Sequence, residues 1–363
     1  MAPDLVRDER ATLHGGVLPA DVMYEILLRL PAKALCRLRL VCRSWRSITS
    51  DPRFAREHLP RHPLFAARHG LWCQIHVVNM SGEIVRQIGS FEGLKLFDLS
   101  MQPDLICVAD TAYGSNGKAH VLNPATGAID VLPDVSMGTP KSRCILGHVP
   151  STREYKVLRI DNFYRQPCQI ITLGGGGDQT WRAKRSPPIR VLTGFRFVAV
   201  VNGVAYFLSD HFYAGVEPDS IALFDLVTEE WRPTTLQGPV TTNLSFVCDP
   251  KMMYLQLAKL NGCLAMAFHD SQHCLLDLWF LTDVDRGLWD KRYSIPCTPR
   301  WELQAPYPLV VLDDGKVVIW LKWPRVLKAY DPRMGTWTDL AKLEDYHFVG
   351  MLEGSLLCSY LQN

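Results

Sequence analysis

The chain has 363 residues, enough for one large domain and a small one, and its 47 % hydrophobic and 21 % charged residues exclude a disordered or fibrous protein. The 39 Lys and Arg residues nearly balance the 37 Asp and Glu residues, so the net charge of +2 does not require nucleic acid or an anionic membrane as a partner. Eleven Cys residues, none of them in Cys-x-x-Cys spacing, indicate neither a disulfide framework nor a zinc ribbon. Ten Trp and twelve Tyr residues, together with 25 Gly and 24 Pro residues, favour many short strands and turns.

The N-terminal segment has no recognisable targeting signal. Residues 1–16 carry charges of both signs and lack the apolar core of a secretory signal, and we expect them to be disordered. No apolar run in the sequence approaches the roughly 18–20 residues that a membrane span needs. Free thiols fit a reducing compartment, so the expected location is the cytoplasm or the nucleus.

Residues 18–59 are predicted to be helical and differ in pattern from the rest of the chain. Apolar residues recur at helical spacing in three successive groups: Val22, Met23, Ile26, Leu27 and Leu30; Leu35 and Leu38; and Val41, Trp45 and Ile48. Pro19 and Asp21 favour a helix start, Pro31 separates the first two groups, and Asp51-Pro52 starts a further turn.

Three short helices bury too little surface to be stable alone. The first predicted helix is also apolar on more than one side, because Tyr24 and Leu28 lie off the stripe of Ile26 and Leu30. Either the rest of the chain covers the remaining apolar face, or that face is a docking surface for another protein. The helical pattern alone leaves both possibilities open.

The paired residues of this segment resemble the F-box, the module that docks substrate receptors onto the adaptor subunit of cullin–RING ubiquitin ligases. The matching elements are Leu18-Pro19, Ile26-Leu27, Leu30-Pro31, Leu35 and Val41-Cys42-Arg43-Ser44-Trp45, followed by Asp51-Pro52, Phe54 and His58-Leu59. The resemblance implies that the adaptor contacts Leu18, Pro19, Ile26, Leu27, Leu30, Pro31 and Leu35. It assigns Val41, Cys42 and Trp45 either to the partner or to the core of the module, and for Trp45 we favour the core, since a large ring fills a small core. Residues 18–59 hold eight Arg and Lys against four Asp and Glu, which suits an acidic partner.

The remaining residues, 61–363, repeat a pattern of strand, polar turn and strand. The turns are marked by Gly82, Gly127, Asp178, Glu229, Gly287 and Gly335, with gaps of 45, 51, 51, 58 and 48 residues, and Trp181, Trp231, Trp289 and Trp337 follow the last four. A second type of turn, at Asn202-Gly203, Asn261-Gly262 and Asp314-Gly315, predicts another hairpin in each period. Four strands per period are typical of a kelch-like β-propeller blade, so six markers predict six blades; an open sandwich-like array is the alternative.

The two ends of this region are predicted to meet. Little chain precedes the strands expected at 71–78 and 84–88, on either side of Gly82. We therefore expect residues 348–360, a hairpin around Glu353-Gly354, to supply the inner strands of that blade and to remove its exposed edge.

The strand-rich region also resembles the F-box-associated domain of plant F-box proteins, over roughly residues 64–363. The residues that carry the resemblance are Asn123-Pro124-Ala125-Thr126-Gly127, Glu154-Tyr155-Lys156-Val157, Val201-Asn202-Gly203-Val204-Ala205-Tyr206 and Phe224-Asp225-Leu226 with Trp231. These motifs are structural and imply a propeller-like fold without naming a ligand.

Four other patterns in the sequence contain residues that could form a binding site. The glycine run at 174–177 leads into a strand, so we interpret it as a hairpin loop and not as a phosphate-binding loop. His269, His273 and Cys274, near Asp270 and downstream of Cys263, have a zinc-like spacing but lie in a polar connection, and we predict no metal and no cofactor. The basic stretch of Arg182, Lys184, Arg185, Arg190 and Arg196 is interpreted as a solvated edge, not as a nucleic-acid site. Of Trp301, Trp320 and Trp323, Trp320 is expected in the core, while Trp323 lies in a connection and is the candidate for target contact.

Together these features predict an α+β multidomain protein, with disordered residues 1–16, a three-helix F-box at 17–60 and an all-β propeller-like domain of six blades at 61–363. The predicted function is that of a non-catalytic substrate-recognition subunit of an SCF-type cullin–RING E3 ubiquitin ligase, which binds the adaptor, through it the cullin, and a target protein. Nucleic acid and membranes are not expected as partners. The alternatives are a propeller lectin or enzyme, which needs a set of His, Tyr, Cys or carboxylate groups at the central channel, and a scaffold that uses the adaptor outside ubiquitin transfer.

Overall fold

A computed structural model describes residues 19–353 apart from 71–73, 91–96, 111–117, 135–141, 163–164, 175–178, 212–214, 241–254, 271–272 and 298–305. The described chain begins with four helices, α1 (Ala20–Leu28), α2 (Ala32–Leu38), α3 (Arg43–Ser50) and α4 (Pro52–Arg61). The module thus has one helix more than the sequence predicted, because the turn at Asp51-Pro52 continues for ten residues. The Asp51 carboxylate accepts the Arg53 amide at 2.7 Å, and Pro52 occupies the first turn, where its missing N–H is not needed. None of the described helices has the length and apolarity needed to cross a membrane.

Twenty-four strands follow in the described residues. In chain order they are β1 (Leu64–His69), β2 (Gln74–Val78), β3 (Ile84–Ser90), β4 (Phe97–Gln102), β5 (Leu105–Asp110), β6 (Ala119–Leu122), β7 (Ile129–Val131), β8 (Arg143–Val149), β9 (Glu154–Ile160), β10 (Cys168–Leu173), β11 (Arg182–Lys184), β12 (Val198–Val201), β13 (Val204–Leu208), β14 (Ile221–Asp225), β15 (Glu230–Trp231), β16 (Leu255–Leu260), β17 (Cys263–Asp270), β18 (Leu275–Asp283), β19 (Leu288–Pro296), β20 (Tyr307–Val311), β21 (Val317–Leu321), β22 (Val326–Asp331), β23 (Thr336–Lys342) and β24 (Tyr346–Leu352).

These strands form six four-stranded antiparallel sheets, which are the blades of a propeller. Blade 1 has the order β24-β1-β2-β3, and blades 2 to 6 each take the next four strands of the chain. The first strands of successive blades, β4, β8, β12, β16, β20 and β24, contact one another in a closed ring around the central channel. The six-bladed propeller predicted from the turn spacing is confirmed, and the sandwich-like array is excluded.

The ring is closed by pairing the C-terminal strand with the first one. β24 lies antiparallel to β1, with Ala66 opposite Gly350 and Leu64 opposite Leu352. The sequence prediction placed both inner strands of blade 1 in the C-terminal segment, whereas the structure has one there and takes the other from β1. The reason is that β1 follows α4 almost directly and already fills the second place. Residues 354–363, the second half of the predicted hairpin, lie outside the described residues.

Each seam between neighbouring blades is filled by its own apolar cluster of described residues. Leu278 of blade 5 and Ile319 of blade 6, for example, belong to one cluster, and Phe65 of blade 1 and Trp320 of blade 6 belong to another. The first and second strands of each blade are therefore buried on both faces, which explains why these inner strands are apolar runs and not alternating patterns. The predicted core position of Trp320 is confirmed, since the side chain is 3 % exposed.

The turns that mark the blades share one local geometry. In five blades the turn from the third to the fourth strand begins with Asn or Asp, whose side-chain oxygen accepts backbone amides two to four residues further on; these residues are Asn79, Asn123, Asp225, Asp283 and Asp331. The marker residue then takes a positive φ, as at Gly127 (83°) and Gly335 (65°). Glycine suits this position because it has no Cβ to clash, which is why it recurs as a marker.

Four Trp side chains join consecutive blades. Each lies at the beginning of a fourth strand and donates its indole N–H to a backbone carbonyl at or beyond the end of the fourth strand of the preceding blade. The pairs are Trp181 with Pro133 (2.9 Å), Trp231 with Arg185 (3.0 Å), Trp289 with Gln237 (2.9 Å) and Trp337 with Pro296 (3.0 Å). The periodic Trp is thus a bridge across a seam, and in blades 1 and 2 Ile84 and Ile129 stand two residues after the marker instead.

Replacing Trp231 with Phe should lower the free energy of unfolding by about 1 kcal/mol, because an aromatic ring remains while the hydrogen bond to the Arg185 carbonyl is lost. Chemical denaturation of the full chain measures the effect. Trp323→Phe is the matched control, since Trp323 is 57 % exposed and its indole makes no such bond among the described residues. Equal losses in the two variants would contradict the bridging role.

Candidate protein-docking surfaces

The helices enclose a small core of their own. Leu27, Leu28, Leu35 and Phe54 are fully or almost fully buried, and the Tyr24 ring meets the Phe54 ring edge-on with centroids 5.3 Å apart. Trp45 packs against this core, and its indole N–H points to the Met23 sulfur at 2.9 Å. The core role favoured for Trp45 agrees with this packing.

Two histidines, His58 in α4 and His62 directly after it, contact the end of α1 and the residues that follow it. The His58 Nε2 lies 2.8 Å from the Leu30 carbonyl oxygen, and the His62 Nε2 lies 3.2 Å from the Leu28 carbonyl oxygen. Leu28 is the last residue of α1 and Leu30 follows the helix, so neither carbonyl is paired within α1, and imidazole N–H groups are suitable donors for them. Burial lowers the pKa of His58 from 6.5 to about 4, and burial also lowers the pKa of His62. His58 is therefore a neutral donor at physiological pH.

The helical module should lose stability as the pH falls from 6.5 towards 4. In that interval an unfolded chain binds a proton at His58 while the folded chain, with the lowered pKa, does not, so protons favour unfolding. The expected loss between pH 7 and pH 5 is about 2 kcal/mol. Circular dichroism at 222 nm measures it, because all described α-helices lie in this module. In His58→Gln, where an amide that does not titrate can still donate, the pH dependence should be smaller; an unchanged profile would contradict the assignment to His58.

An apolar surface remains uncovered after the helices have packed. Val22 and Ile26 lie one turn apart on α1 and are each 44 % exposed, while Leu40 and Val41, between α2 and α3, are 80 % and 64 % exposed. Large aliphatic side chains with this exposure are unfavourable in water unless a partner covers them. We call these four residues the apolar patch.

The structure divides the predicted adaptor-contact residues by exposure. Pro19, Ile26, Pro31, Val41 and Cys42 are exposed, Leu30 and Trp45 are half-buried, Leu27 and Leu35 are buried in the core, and Leu18 lies outside the described residues. Leu27 and Leu35 therefore hold the helices together in this conformation. Cys42 is the N-cap of α3, where its sulfur accepts the Trp45 amide at 3.5 Å. The sequence prediction missed two exposed residues, Val22 and Leu40; Val22 stands four residues before Ile26, which was a usable signal, whereas nothing in the pattern marks Leu40.

The propeller covers only part of the helical module. Ala32 of α2 belongs to the apolar cluster at the seam of blades 1 and 2, and Lys33 forms an exposed ion pair with Glu83 at 3.5 Å. A cleft of about 560 Å³ lies between α2 and the turn at 79–83, lined by Pro31, Met80 and others. The propeller thus covers Ala32 and leaves the apolar patch exposed.

The two faces of the propeller differ. One, the tight-turn face, carries the short turns between first and second strands and between third and fourth strands, such as Asn202-Gly203 and Asn261-Gly262. The other, the long-loop face, carries the connections between second and third strands and between blades. Because β1 starts at Leu64, opposite the end of β24 at Leu352, the helices join at the tight-turn face. Trp323 lies on the long-loop face, in the connection from β21 to β22, and Trp301 falls outside the described residues.

The predicted basic edge is engaged in ion pairs. Glu229 accepts Lys156 at 2.9 Å and Lys184 at 2.7 Å, and Arg182 also binds it. Burial raises the pKa of Glu229, but the hydrogen bonds from Arg182, Lys184 and Lys156 outweigh it and lower the pKa to about 2. Arg190 pairs with Asp210 at 2.9 Å. Three of the five residues therefore serve the structure of blades 3 and 4, and the stretch is not a uniformly solvated edge.

Only part of the candidate metal and phosphate patterns lies in the described residues. His273 Nδ1 lies 2.6 Å from the Asp270 carboxylate, and the described residues contain no group of three His, Cys, Asp or Glu side chains placed to hold a metal ion. Residues 175–178 of the glycine run lie outside the part of the chain that the structure describes.

The central channel is narrow among the described residues. The Phe195 ring packs against Tyr307 (5.5 Å between centroids) and Phe348 (4.7 Å), and Lys259 pairs with Glu353 at 2.5 Å. The cavity lined by these rings has a volume of about 120 Å³. Ligand sites generally have about 300 Å³ or more, so this channel does not favour the lectin or enzyme alternative.

The fold and the helical module together define a class, that of proteins in which short F-box helices precede a six-bladed propeller. A family model described as F-box associated beta propeller domain matches residues 84–336, and one described as F-box-like matches residues 16–60. The chain belongs to the family of plant F-box proteins with a C-terminal F-box-associated propeller domain.

Similar proteins from Arabidopsis thaliana extend over most of the chain. F-box protein At3g07870 is 27 % identical, over 90 % of this chain and 88 % of that protein. F-box/kelch-repeat protein At3g23880 is 24 % identical, over 83 % of this chain and 84 % of that protein, and Putative F-box protein At1g46984 is 25 % identical, over 79 % and 76 %. The similarity thus covers both the helices and the propeller.

Proposed function

We propose that the protein is the substrate-recognition subunit of an SCF-type cullin–RING E3 ubiquitin ligase. The observation that carries the proposal is the apolar patch on F-box helices that the propeller leaves uncovered. In this proposal the adaptor subunit binds the apolar patch together with Pro19 and Pro31. The adaptor then links the chain to the cullin. The excess of basic over acidic residues in 18–59 supports an acidic adaptor.

The geometry of the propeller supports a division of labour between its faces. The helices join at the tight-turn face, so the long-loop face is free to hold a target protein. Trp323, exposed on that face, is a candidate contact, because exposed aromatic side chains are frequent anchors in protein recognition. The chain itself supplies no catalytic group in this proposal: it raises the local concentration of the target beside the ubiquitin-loaded enzyme, in the cytoplasm or the nucleus.

Reconstitution with purified components tests the proposal. The full chain is co-expressed with a plant adaptor subunit, and the complex is added to cullin, RING protein, conjugating enzyme and ubiquitin. We expect a stable one-to-one complex with the adaptor, and ubiquitin chains on the receptor or on proteins captured by it. A chain that binds the adaptor without supporting ubiquitin transfer would favour the scaffold alternative, and a chain that does not bind the adaptor would overturn the proposal.

A further inference from the structure

On the long-loop face, the residue at the end of the second strand differs in charge from blade to blade. At or just after the end of the second strand, blades 2 to 5 carry an aspartate, namely Asp110, Asp161, Asp210 and Asp270. Three of these aspartates bind side chains of nearby loops, as Asp210 binds Arg190. At the same position blade 6 carries Lys322 and blade 1 carries His69. The face therefore has a sector, on blades 6 and 1, where the acidic residue is replaced.

Four cations gather in this sector, from β1, from the segment before β12 and from the connection between β21 and β22; we call Arg68, Arg196, Lys322 and Arg325 the cationic sector. His347 of β24 lies beside them, and burial lowers the pKa of its imidazole, so it is not counted as a cation. The Arg325 Nη2 lies 3.4 Å from the His347 Nδ1, and a Cβ atom placed on Gly70 would come within 3.2 Å of the His347 ring, so the connections of blades 1 and 6 touch. Burial lowers the pKa of Lys322, and repulsion from Arg196, Arg68 and Arg325 lowers it further, which is consistent with their proximity.

Three of these cations, Arg196, Lys322 and Arg325, are half-buried, and none of them has a carboxylate partner in the described part of the chain. Arg325 donates to the Glu344 backbone carbonyl, and its guanidinium lies 5.1 Å from the centre of the Trp323 ring; Arg196 lies 5.5 Å from the centre of the Phe195 ring. Glu344 and Asp345 in the adjoining connection are exposed and form no ion pair with Arg196, Lys322 or Arg325 among the described residues. Elsewhere in the same chain comparable cations are neutralised, as Lys156 is by Glu229 and Lys259 by Glu353.

Charges of one sign that are drawn partly out of water are unfavourable unless an opposite charge joins them. Two guanidinium groups and an ammonium group suit a compact dianion, because guanidinium forks bind phosphate oxygens in pairs. Trp323 lies beside the sector and offers an apolar wall for the flanking residues of a peptide. We propose that the cationic sector binds a phosphorylated segment of the target protein, an inference that rests on the proposed role of the chain as a substrate receptor.

Binding of a labelled peptide pool to the full chain tests this inference. The probe is a degenerate fluorescein-labelled pool with one fixed central phosphoserine, compared with the same pool carrying serine. Fluorescence anisotropy should detect binding of the phosphorylated pool only. Lys322→Glu should weaken that binding at least about tenfold, since it removes one charge-assisted contact and occupies the sector with an internal carboxylate, whereas Lys322→Arg should retain it. Lys322→Glu should not lower the thermal midpoint, because it relieves repulsion within the sector.

Arg333→Glu is the matched control. Arg333 is an exposed cation of the same blade, in the turn from β22 to β23 on the opposite face, and the same change of charge there should leave the affinity unchanged within about twofold. Equal binding of the two pools, or equal losses in Lys322→Glu and Arg333→Glu, would overturn the inference. A single-stranded RNA that binds as tightly and is released by Lys322→Glu would overturn the assignment to a phosphoprotein.

The adaptor pull-down separates the two proposals. A chain that captures the phosphorylated pool but not the adaptor would overturn the proposed function and leave the anion site standing. A chain that captures the adaptor but neither pool would overturn the anion site alone.

Discussion

Replacing Ile26 with Glu should abolish capture of the adaptor while leaving the helices and the propeller folded. Ile26 is 44 % exposed and forms a stripe with Val22 on α1, so a carboxylate there meets water in the free protein and is forced into an apolar contact in the complex. Burying an unpaired charge costs at least about 2 kcal/mol, which corresponds to a loss of affinity of about 30-fold or more. Biolayer interferometry with the full chain and purified adaptor measures it.

Val227→Glu is the control for this substitution. Val227 is 54 % exposed, but it lies in the turn between β14 and β15, on the propeller. Its replacement should leave adaptor binding unchanged. A change at Leu30 would be harder to interpret, because Leu30 packs against the helical core and its carbonyl oxygen receives His58. Retained binding by Ile26→Glu would remove the apolar patch as the docking surface.

Replacing Val349 with Asp should open the ring. Val349 is fully buried in β24, opposite Ala67 of β1, and belongs to the cluster that fills the seam of blades 6 and 1. A carboxylate at this position cannot be hydrated. The expected loss in the free energy of unfolding is therefore about 3 kcal/mol or more, which is a large part of the stability of a typical domain. The thermal midpoint and the hydrodynamic radius of the full chain report the loss.

A graded variant and a control make this test interpretable. Val349→Ala should produce a smaller loss of the same sign and serves if the Asp variant does not fold. Met334→Asp, in an exposed turn of blade 6, should have little effect. A thermal midpoint of Val349→Asp within error of that of Met334→Asp would contradict closure through β24.

The sequence carries the information for elements that repeat or match a motif. Helical spacing predicts α1 to α3, and the turn markers predict the blade number, because Asn or Asp at the turn start and a positive φ at the marker leave a compositional trace in five of the six periods. The role of the periodic Trp is not visible in the same way. Trp231 bonds to Arg185, 46 residues away, across a seam that exists only once the ring is assembled.

The sequence pattern also does not predict which residues of the helical module are exposed and which are buried. Ile26 and Leu27 are neighbours and both match the F-box motif, yet one is exposed and the other is 2 % exposed. The difference arises from α4, which follows the motif helices and holds α1 through His58 and His62. The same holds for Arg68 and Lys322, which are 254 positions apart in the sequence and lie in neighbouring blades because β24 returns to β1.

Closure by β24 makes the completion of the ring depend on a strand from the C-terminal end of the described chain. The F-box helices emerge from the ribosome first and can fold early, whereas β1 stays without its inner neighbour until the final strand has been made. A chain terminated early would carry a docking module on a ring with an open edge, and an unpaired strand edge is a site for aggregation and for recognition by chaperones. Only a chain translated at least as far as Leu352 presents both a sealed propeller and a helical module attached to it. The position of the seam therefore makes the sealed propeller, but not the helical module, depend on the synthesis of β24.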